Sequence, residues 1–187
     1  LRPVPALRRE QRMNFFVTGG SRGIGAGIVL EAVREGHDVA FCYARNKDAA
    51  DEVIAAAKDI RPEVKIKAYQ LDVADAAAVE TVGDEVLDDF ESIEVVVNCA
   101  GINRANLLLS MTNEEWDQVI GTNLNGPFYV CRKFLMSMIG GRFGRIINIS
   151  SVQHTGASGQ GNYAASKAGL NGLTQTIAKE YGRKGIT

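Results

Sequence analysis

The sequence predicts an α/β chain, a doubly wound parallel sheet with helices on both faces in three layers. Three observations predict it. A strand-forming run, Asn14 to Val17, enters glycines at 19, 20, 23 and 25, and an apolar helical pattern follows at Ile24, Ile28, Val29, Ala32 and Val33. Four more short β-rich runs then alternate with helical patterns, the rhythm of repeated βαβ units. Finally, the expected carboxyl ends of strands 1, 2, 4 and 5 carry ligand-competent residues, Gly19, Arg45, Asn98 and Ser151. In an open parallel sheet those ends share one edge, where ligands bind.

Totals narrow the class. The chain has 187 residues, enough for one domain with a sizeable core. Its 21 Lys and Arg face 22 Asp and Glu, so no charge excess points to nucleic acid or an anionic membrane surface. Cys42, Cys99 and Cys131 lie scattered in apolar surroundings, without disulfide or metal-ligand spacing, and read as reduced, buried small hydrophobes. No apolar run approaches the roughly 18 residues of a membrane span. A soluble, cytoplasmic protein without a metal site is expected.

Residues 1–12 hold two prolines and four arginines against a single acid, Glu10. They are expected to be a flexible or added arm ahead of Met13, with residues 13–187 forming the catalytic domain.

The glycine turn reads Gly19-x-x-x-Gly23-x-Gly25, with Ser21, Arg22 and Ile24 between. Such a turn brings phosphate oxygens to the N–H groups of a helix N-terminus, and its plain alternative is a structural turn. Gly36 ends the first helix, and a second strand runs Val39 to Tyr43. An acid that binds the ribose 2′-hydroxyl of NAD is expected near its end, but Tyr43-Ala44-Arg45-Asn46 stands there. Arg45, with Arg22, suits a 2′-phosphate instead, which favours NADPH over NADH.

A helix is expected over Asp48 to Ile60, broken by Pro62, then an edge strand at Val64 to Tyr69. Asp72 follows it, where it either caps the helix Ala74–Asp89 or meets an adenine ring. Ile93 to Val97 is a buried central strand running into Asn98-Cys99-Ala100-Gly101. One long helix is expected from Asn113 to Ile139, bent at Gly126-Pro127 and holding the polar Asn123 in an apolar series. The fifth strand, Arg145 to Ile149, ends in Ser150-Ser151, and a last helix spans about Asn162 to Tyr181. Tyr163 and Lys167, four apart, share one face at its start. A nearby ammonium favours a phenolate, which makes tyrosine a more useful acid near neutrality. With a serine to bond the substrate oxygen, that set suits hydride transfer from a nicotinamide to a carbonyl.

On these residues the sequence resembles the short-chain dehydrogenase/reductase family over Met13 to Thr187, with the Rossmann arrangement. The carrying motifs are Thr18 to Gly25, Asn98 to Gly101, Thr122-Asn123-Leu124, Ser150-Ser151 and Tyr163-Ala-Ala-Ser-Lys167. The resemblance implies a tetrad of Asn123, Ser151, Tyr163 and Lys167. In it Tyr163 is the general acid, Ser151 the carbonyl-oxygen partner, and Lys167 the group that tunes Tyr163 and holds the nicotinamide ribose. Asn123 orders a relay water. Cofactor contacts are expected at Gly19, Ser21, Arg22, Gly23, Ile24, Gly25, Arg45, Asp72, Asn98, Ala100, Gly101, Tyr163 and Lys167.

Within the family the chain is most similar to reductases of 3-oxoacyl thioesters carried by acyl carrier protein or coenzyme A. The resemblance therefore implies NADPH-dependent 3-oxoacyl reduction in fatty acid biosynthesis, by a homotetramer paired through the long and final helices. A reductase of another ketone, sugar or steroid, or a non-catalytic nucleotide-binding protein, are the alternatives. Ser150 has the family's usual spacing of thirteen to Tyr163, whereas strand alignment favours Ser151, the preferred candidate. Cys99 stands where the family usually has a second asparagine. The sequence ends at Gly185-Ile186-Thr187, where the family continues with further strands, so C-terminal strands are expected to be missing.

Overall fold

The computed structural model describes residues 12–187. The expected arm over residues 1–12 therefore lies outside the described residues except at its last position. There the Arg12 guanidinium pairs with Asp38 and donates to the Glu63 carbonyl at 3.1 Å.

Five parallel strands form one sheet in the order β3-β2-β1-β4-β5. They are β1 (Asn14–Thr18), β2 (Asp38–Tyr43), β3 (Ile66–Gln70), β4 (Val95–Asn98) and β5 (Arg145–Asn148). The order reverses between β1 and β4, which is where such a sheet opens a crevice for ligand. Between the strands run α1 (Gly23–Arg34), α2 (Lys47–Ile60) and α3 (Ala76–Phe90), then α4 (Asn113–Ile120) and α5 (Gly126–Gly141). The last helix is α6 (Gly161–Tyr181).

Strand alternation builds two cores. Phe16, Ala40, Cys42, Tyr69 and Val96 point to one face, under Val79, Val86 and Phe90 of α3 and Val130, Phe134 and Met138 of α5. Val17, Val39, Phe41, Val95 and Val97 point to the other, under Val29 and Val33 of α1 and Ala50, Val53 and Ala57 of α2. Because β1, β2 and β4 are covered on both faces, their sequences are near-continuous apolar runs rather than alternating ones. The described sheet and its helices are the three-layer Rossmann arrangement that the sequence predicts. β3 is the expected edge, with Lys67 and Gln70 exposed and Ile66, Ala68 and Tyr69 buried or half-buried.

Two elements differ from expectation. The helix after Asp72 begins two residues later than expected, at Ala76, because Asp75 is its N-cap and accepts from the Ala77 and Ala78 amides at 2.9 and 3.1 Å. The expected long helix is two, α4 and α5, joined by a π-turn over Gly121–Asn125. Its wider i→i+5 bond runs from the Gly126 amide to the Gly121 carbonyl. Pro127, without an N–H, cannot continue an ordinary α-helical ladder back to residue 123. Gly126 lets this junction sit on Val73, whose Cγ2 would lie 2.8 Å from any added Cβ.

Candidate functional site

Parallel register brings the strand ends level. Thr18 pairs with Cys42 on one side and Asn98 on the other, and Asn98 pairs with Asn148. The segments leaving β1, β2, β3, β4 and β5 therefore emerge at one sheet edge, and residues up to 130 apart in sequence meet there by topology alone.

The glycine turn occupies its middle. Gly19 has φ +69° and Gly23 φ +55°, a conformation glycine adopts without steric penalty. A Cβ at Gly19 would lie 2.9 Å from the Ala100 Cα, and one at Gly25 would lie 2.2 Å from the Gly19 carbonyl oxygen. The first glycine thus lets the turn approach the β4 exit, and the last lets α1 pack against the turn. Arg22 sits at the N-cap of α1 without a side-chain cap bond, and no acid stands in the first helical turn. The leading N–H groups and the positive end of the helix dipole are left for an anion. Ile24 is exposed beside them, and Ser21 is half-buried. Arg22 and Arg45 are exposed, and among the described residues no ion pair engages either guanidinium.

Thr18 locks the two central strands together at this edge. Its Oγ1 accepts from the Cys99 and Ala100 amides, both at 3.0 Å. Asn98 turns inward. It is 2% exposed, and its Nδ2 donates to Asn148 Oδ1 at 2.8 Å and to Cys131 Sγ at 3.2 Å, while its Oδ1 has no partner. The side chain expected to touch cofactor is thus engaged within the sheet. Asp72 stays exposed past β3 and accepts from the Ala74 amide at 3.0 Å, bracing the turn rather than capping α3.

On the far side, α6 presents Tyr163 and Lys167. The Lys167 Nζ lies 5.6 Å from the centre of the Tyr163 ring and donates to the Ile149 carbonyl at 2.6 Å. The lysine is 5% exposed, and desolvation lowers its pKa from the ordinary lysine value, partly opposed by Cys99. An ammonium has three donors, so two remain beyond Ile149. A Cβ at Gly101 would stand 3.8 Å from this Nζ and 3.4 Å from Asn123 Oδ1, which places Gly101 between the β4 exit and the tetrad.

Asn123 is fully buried with its amide committed. Oδ1 accepts from the Ile102 amide at 2.8 Å, and Nδ2 donates to the Ile102 carbonyl at 2.9 Å and to Ser166 Oγ at 3.2 Å. Ser166 Oγ in turn donates to the Tyr163 carbonyl at 2.7 Å. The Thr122-Asn123-Leu124 motif marks Asn123 in the sequence but carries no sign of this clamp, in which Ser166 is its partner one turn of helix from Tyr163. Asn162, absent from the sequence-based site, is fully buried, and its Nδ2 donates to the Arg104 and Glu115 carbonyls at 2.9 and 3.1 Å. Its Oδ1 accepts from the Tyr163 amide at 2.7 Å. A polar residue directly before the tyrosine was the available signal.

The two serines differ. Ser150 Oγ donates to the Lys167 carbonyl at 3.2 Å, so its proton is spent in the packing of β5 against α6. Ser151 Oγ accepts from the Gln153 amide at 3.1 Å, which leaves its proton available.

The profile of the short chain dehydrogenases matches residues 14–187, the whole of this sheet and its helices. The chain belongs to the short-chain dehydrogenase family. Members of that family are oxidoreductases that interconvert an alcohol and a carbonyl. Among similar proteins is the 3-oxoacyl-acyl-carrier-protein reductase FabG of Staphylococcus aureus, 46% identical over 178 residues, with 92% of this chain and 70% of the relative covered. The reductase of the same name from Haemophilus influenzae is 41% identical, and that of Synechocystis 43%, each over 173 residues. Those two alignments cover 92% of this chain and 69% of the relative. No described helix is long and apolar enough to cross a membrane.

Proposed function

We propose that the protein reduces the 3-keto group of an acyl thioester with NADPH, in the cytoplasm, the acyl group being carried by acyl carrier protein or coenzyme A. The observation that carries the reading is the buried Lys167 ammonium on the Tyr163 face of α6, at the edge where the glycine turn and the β4 exit meet. The thioester substrate is taken from the names of the relatives, which are reductases of 3-oxoacyl groups.

The residues fit a dinucleotide. The Gly19–Ala100 approach, the uncapped start of α1 and the two remaining Lys167 donors form a cradle that side chains would otherwise fill. Gly19, Ser21, Gly23, Ile24 and Gly25 would hold the pyrophosphate. Arg22 and Arg45 would grip the 2′-phosphate through charge-assisted bonds, with Asp72 near the adenine and Ala100 and Gly101 along the ribose. Asn98 would act through the backbone at this edge. When bound, the nicotinamide supplies the hydride.

The chain's own residues do the rest. Tyr163 gives its phenolic proton to the carbonyl oxygen as charge develops there. Lys167 favours the phenolate left behind, because a positive charge nearby stabilises the anionic form. Ser151 donates its free hydroxyl proton to the same oxygen and orients it. Asn123 would hold a relay water through its carbonyl, since its amide is committed and residue 127 is proline, without an N–H to claim that carbonyl.

The test follows absorbance of NADPH, and in parallel NADH, with an acetoacetyl thioester. NADPH-preferring turnover that falls by about 10³-fold or more in Tyr163→Phe, with NADPH affinity unchanged, is the expected result. NADPH binding without turnover of any 3-oxoacyl thioester would refute the substrate assignment. Absent binding would refute the cofactor assignment.

A further inference from the structure

We propose that His154 is a positioning residue for Ser151, holding the serine so that its hydroxyl faces the substrate oxygen. This rests on the reading of Ser151 as the carbonyl-oxygen partner. Ser151 caps a short 3₁₀ turn, Val152–Thr155, at the end of β5. Its carbonyl accepts twice from one residue, from the His154 amide at 3.1 Å and from the His154 ring at 2.7 Å through Nδ1. A carbonyl oxygen carries no proton, so Nδ1 must supply it. The ring is therefore the Nδ1–H tautomer, and Nε2 is its unprotonated nitrogen when neutral.

That bond joins two others that close the turn, from the Gly156 amide to the Gln153 carbonyl at 2.9 Å and from the Thr155 hydroxyl to the Val152 carbonyl at 3.4 Å. Val152 is 89% exposed, His154 and Thr155 are exposed, and Gly156 and Gly159 follow at φ +105° and +70°. With these side chains in water, hydrogen bonds contribute strongly to the segment's geometry, alongside its packing against α6. The two donors from His154 fix the Ser151–Val152 peptide. The Gln153 amide, placed by that same turn, then holds Ser151 Oγ as an acceptor at 3.1 Å. With its lone pair used that way, the hydroxyl proton is left for the substrate. A side chain without a donor at 154 would keep only the backbone bond, and Ser151 would sample other rotamers.

Two measurements test it. In ¹⁵N-labelled protein at a pH where both imidazoles are neutral, the two histidines should show opposite tautomers. His37 Nδ1 accepts from the Met13 amide at 3.3 Å and must be bare, whereas His154 Nδ1 must carry the proton. His154→Phe should speed hydrogen exchange of the Gln153 amide, which reports the Ser151 contact directly. In turnover, His154→Phe should lower kcat about tenfold with KM for NADPH within about twofold, and His154→Asn, which keeps a donor, should recover most of it. In a Ser151→Ala background His154→Phe should cost nothing further. An Nε2–H tautomer at His154, unchanged exchange at Gln153, or an undiminished loss in the Ser151→Ala background would overturn the proposal. Protein silent toward acetoacetyl thioesters would sink the substrate assignment instead, and the tautomer and exchange data would still decide whether His154 holds Ser151.

Discussion

Lys167 shows how one residue carries both a cost to the fold and the chemistry. A 5%-exposed ammonium is stripped of water, and its one carbonyl partner, Ile149, offsets that only in part, so its pKa is lowered from 10.5. The unfolded chain then holds more protons than the native one between the lowered value and 10.5. Stability from this residue therefore rises with pH across that window and is least at neutrality. Relative to Lys167→Met, wild type should gain stability between pH 7 and pH 10, measured by urea unfolding at both values. A constant difference would place the ammonium in a better-solvated site than the geometry indicates. The residue scale is also where sequence reading was most informative about chemistry. Tyr163 and Lys167 share a helix face because four residues make one turn, and nothing tertiary is needed to see it. For Ser150 and Ser151 the sequence offers opposed signals, spacing for the first and strand alignment for the second, because their physical difference lies in which carbonyl or amide each hydroxyl meets.

At the scale of elements, the junction of α4 and α5 places Asn123 and needs a particular contact. Val73 presses on Gly126 with its Cβ and carbonyl oxygen each 3.0 Å from an added Cβ, in addition to its nearer methyl. Both a β-branched side chain and backbone would have to move. Gly126→Ala should therefore destabilise the fold by about 1–3 kcal/mol, despite alanine's better helix propensity. Gly169→Ala makes a useful contrast, since the nearest atoms to its added methyl all belong to the Leu124 side chain, 2.8 Å away at Cδ2, which can rotate. Thermal unfolding of the two variants should show the larger fall for Gly126→Ala. Equal losses would mean that helix propensity and not the Val73 contact governs the junction. The π-turn was half legible. Gly126-Pro127 announced an irregularity, but a bend and a widened turn use the same residues, and the choice depends on where the Ile102 backbone needs Asn123.

For the whole molecule, the outward side of the α4–α5 run carries Trp116, Phe128 and Met136, the last 74% exposed. Arg132 stacks over Phe128, its carbon 5.1 Å from the ring centre. A large apolar side left to water is the feature that association removes. The proposed homotetramer would bury this face and the outer side of α6. Phe128→Glu with Met136→Glu should convert the assembly to smaller species in light scattering at micromolar concentration. A wild-type monomer under those conditions would refute the tetramer.

Local order was readable from the chain alone because it depends on near neighbours. Strand runs, glycine punctuation and helical periodicity determined an α/β parallel sheet, the place of the glycine turn and the pairing of Tyr163 with Lys167. The missing acid after β2 was likewise visible as a local fact. Hydrogen-bond partners distant in sequence were not readable. Only the tertiary structure decided that Asn98 turns toward Asn148 and Cys131, that Asp75 and not Asp72 caps α3, and that Asn123 spends its amide on Ile102 and Ser166. A polar side chain's identity limits what it can bond, but which donor or acceptor stands within 3 Å is set by how the strands and helices pack.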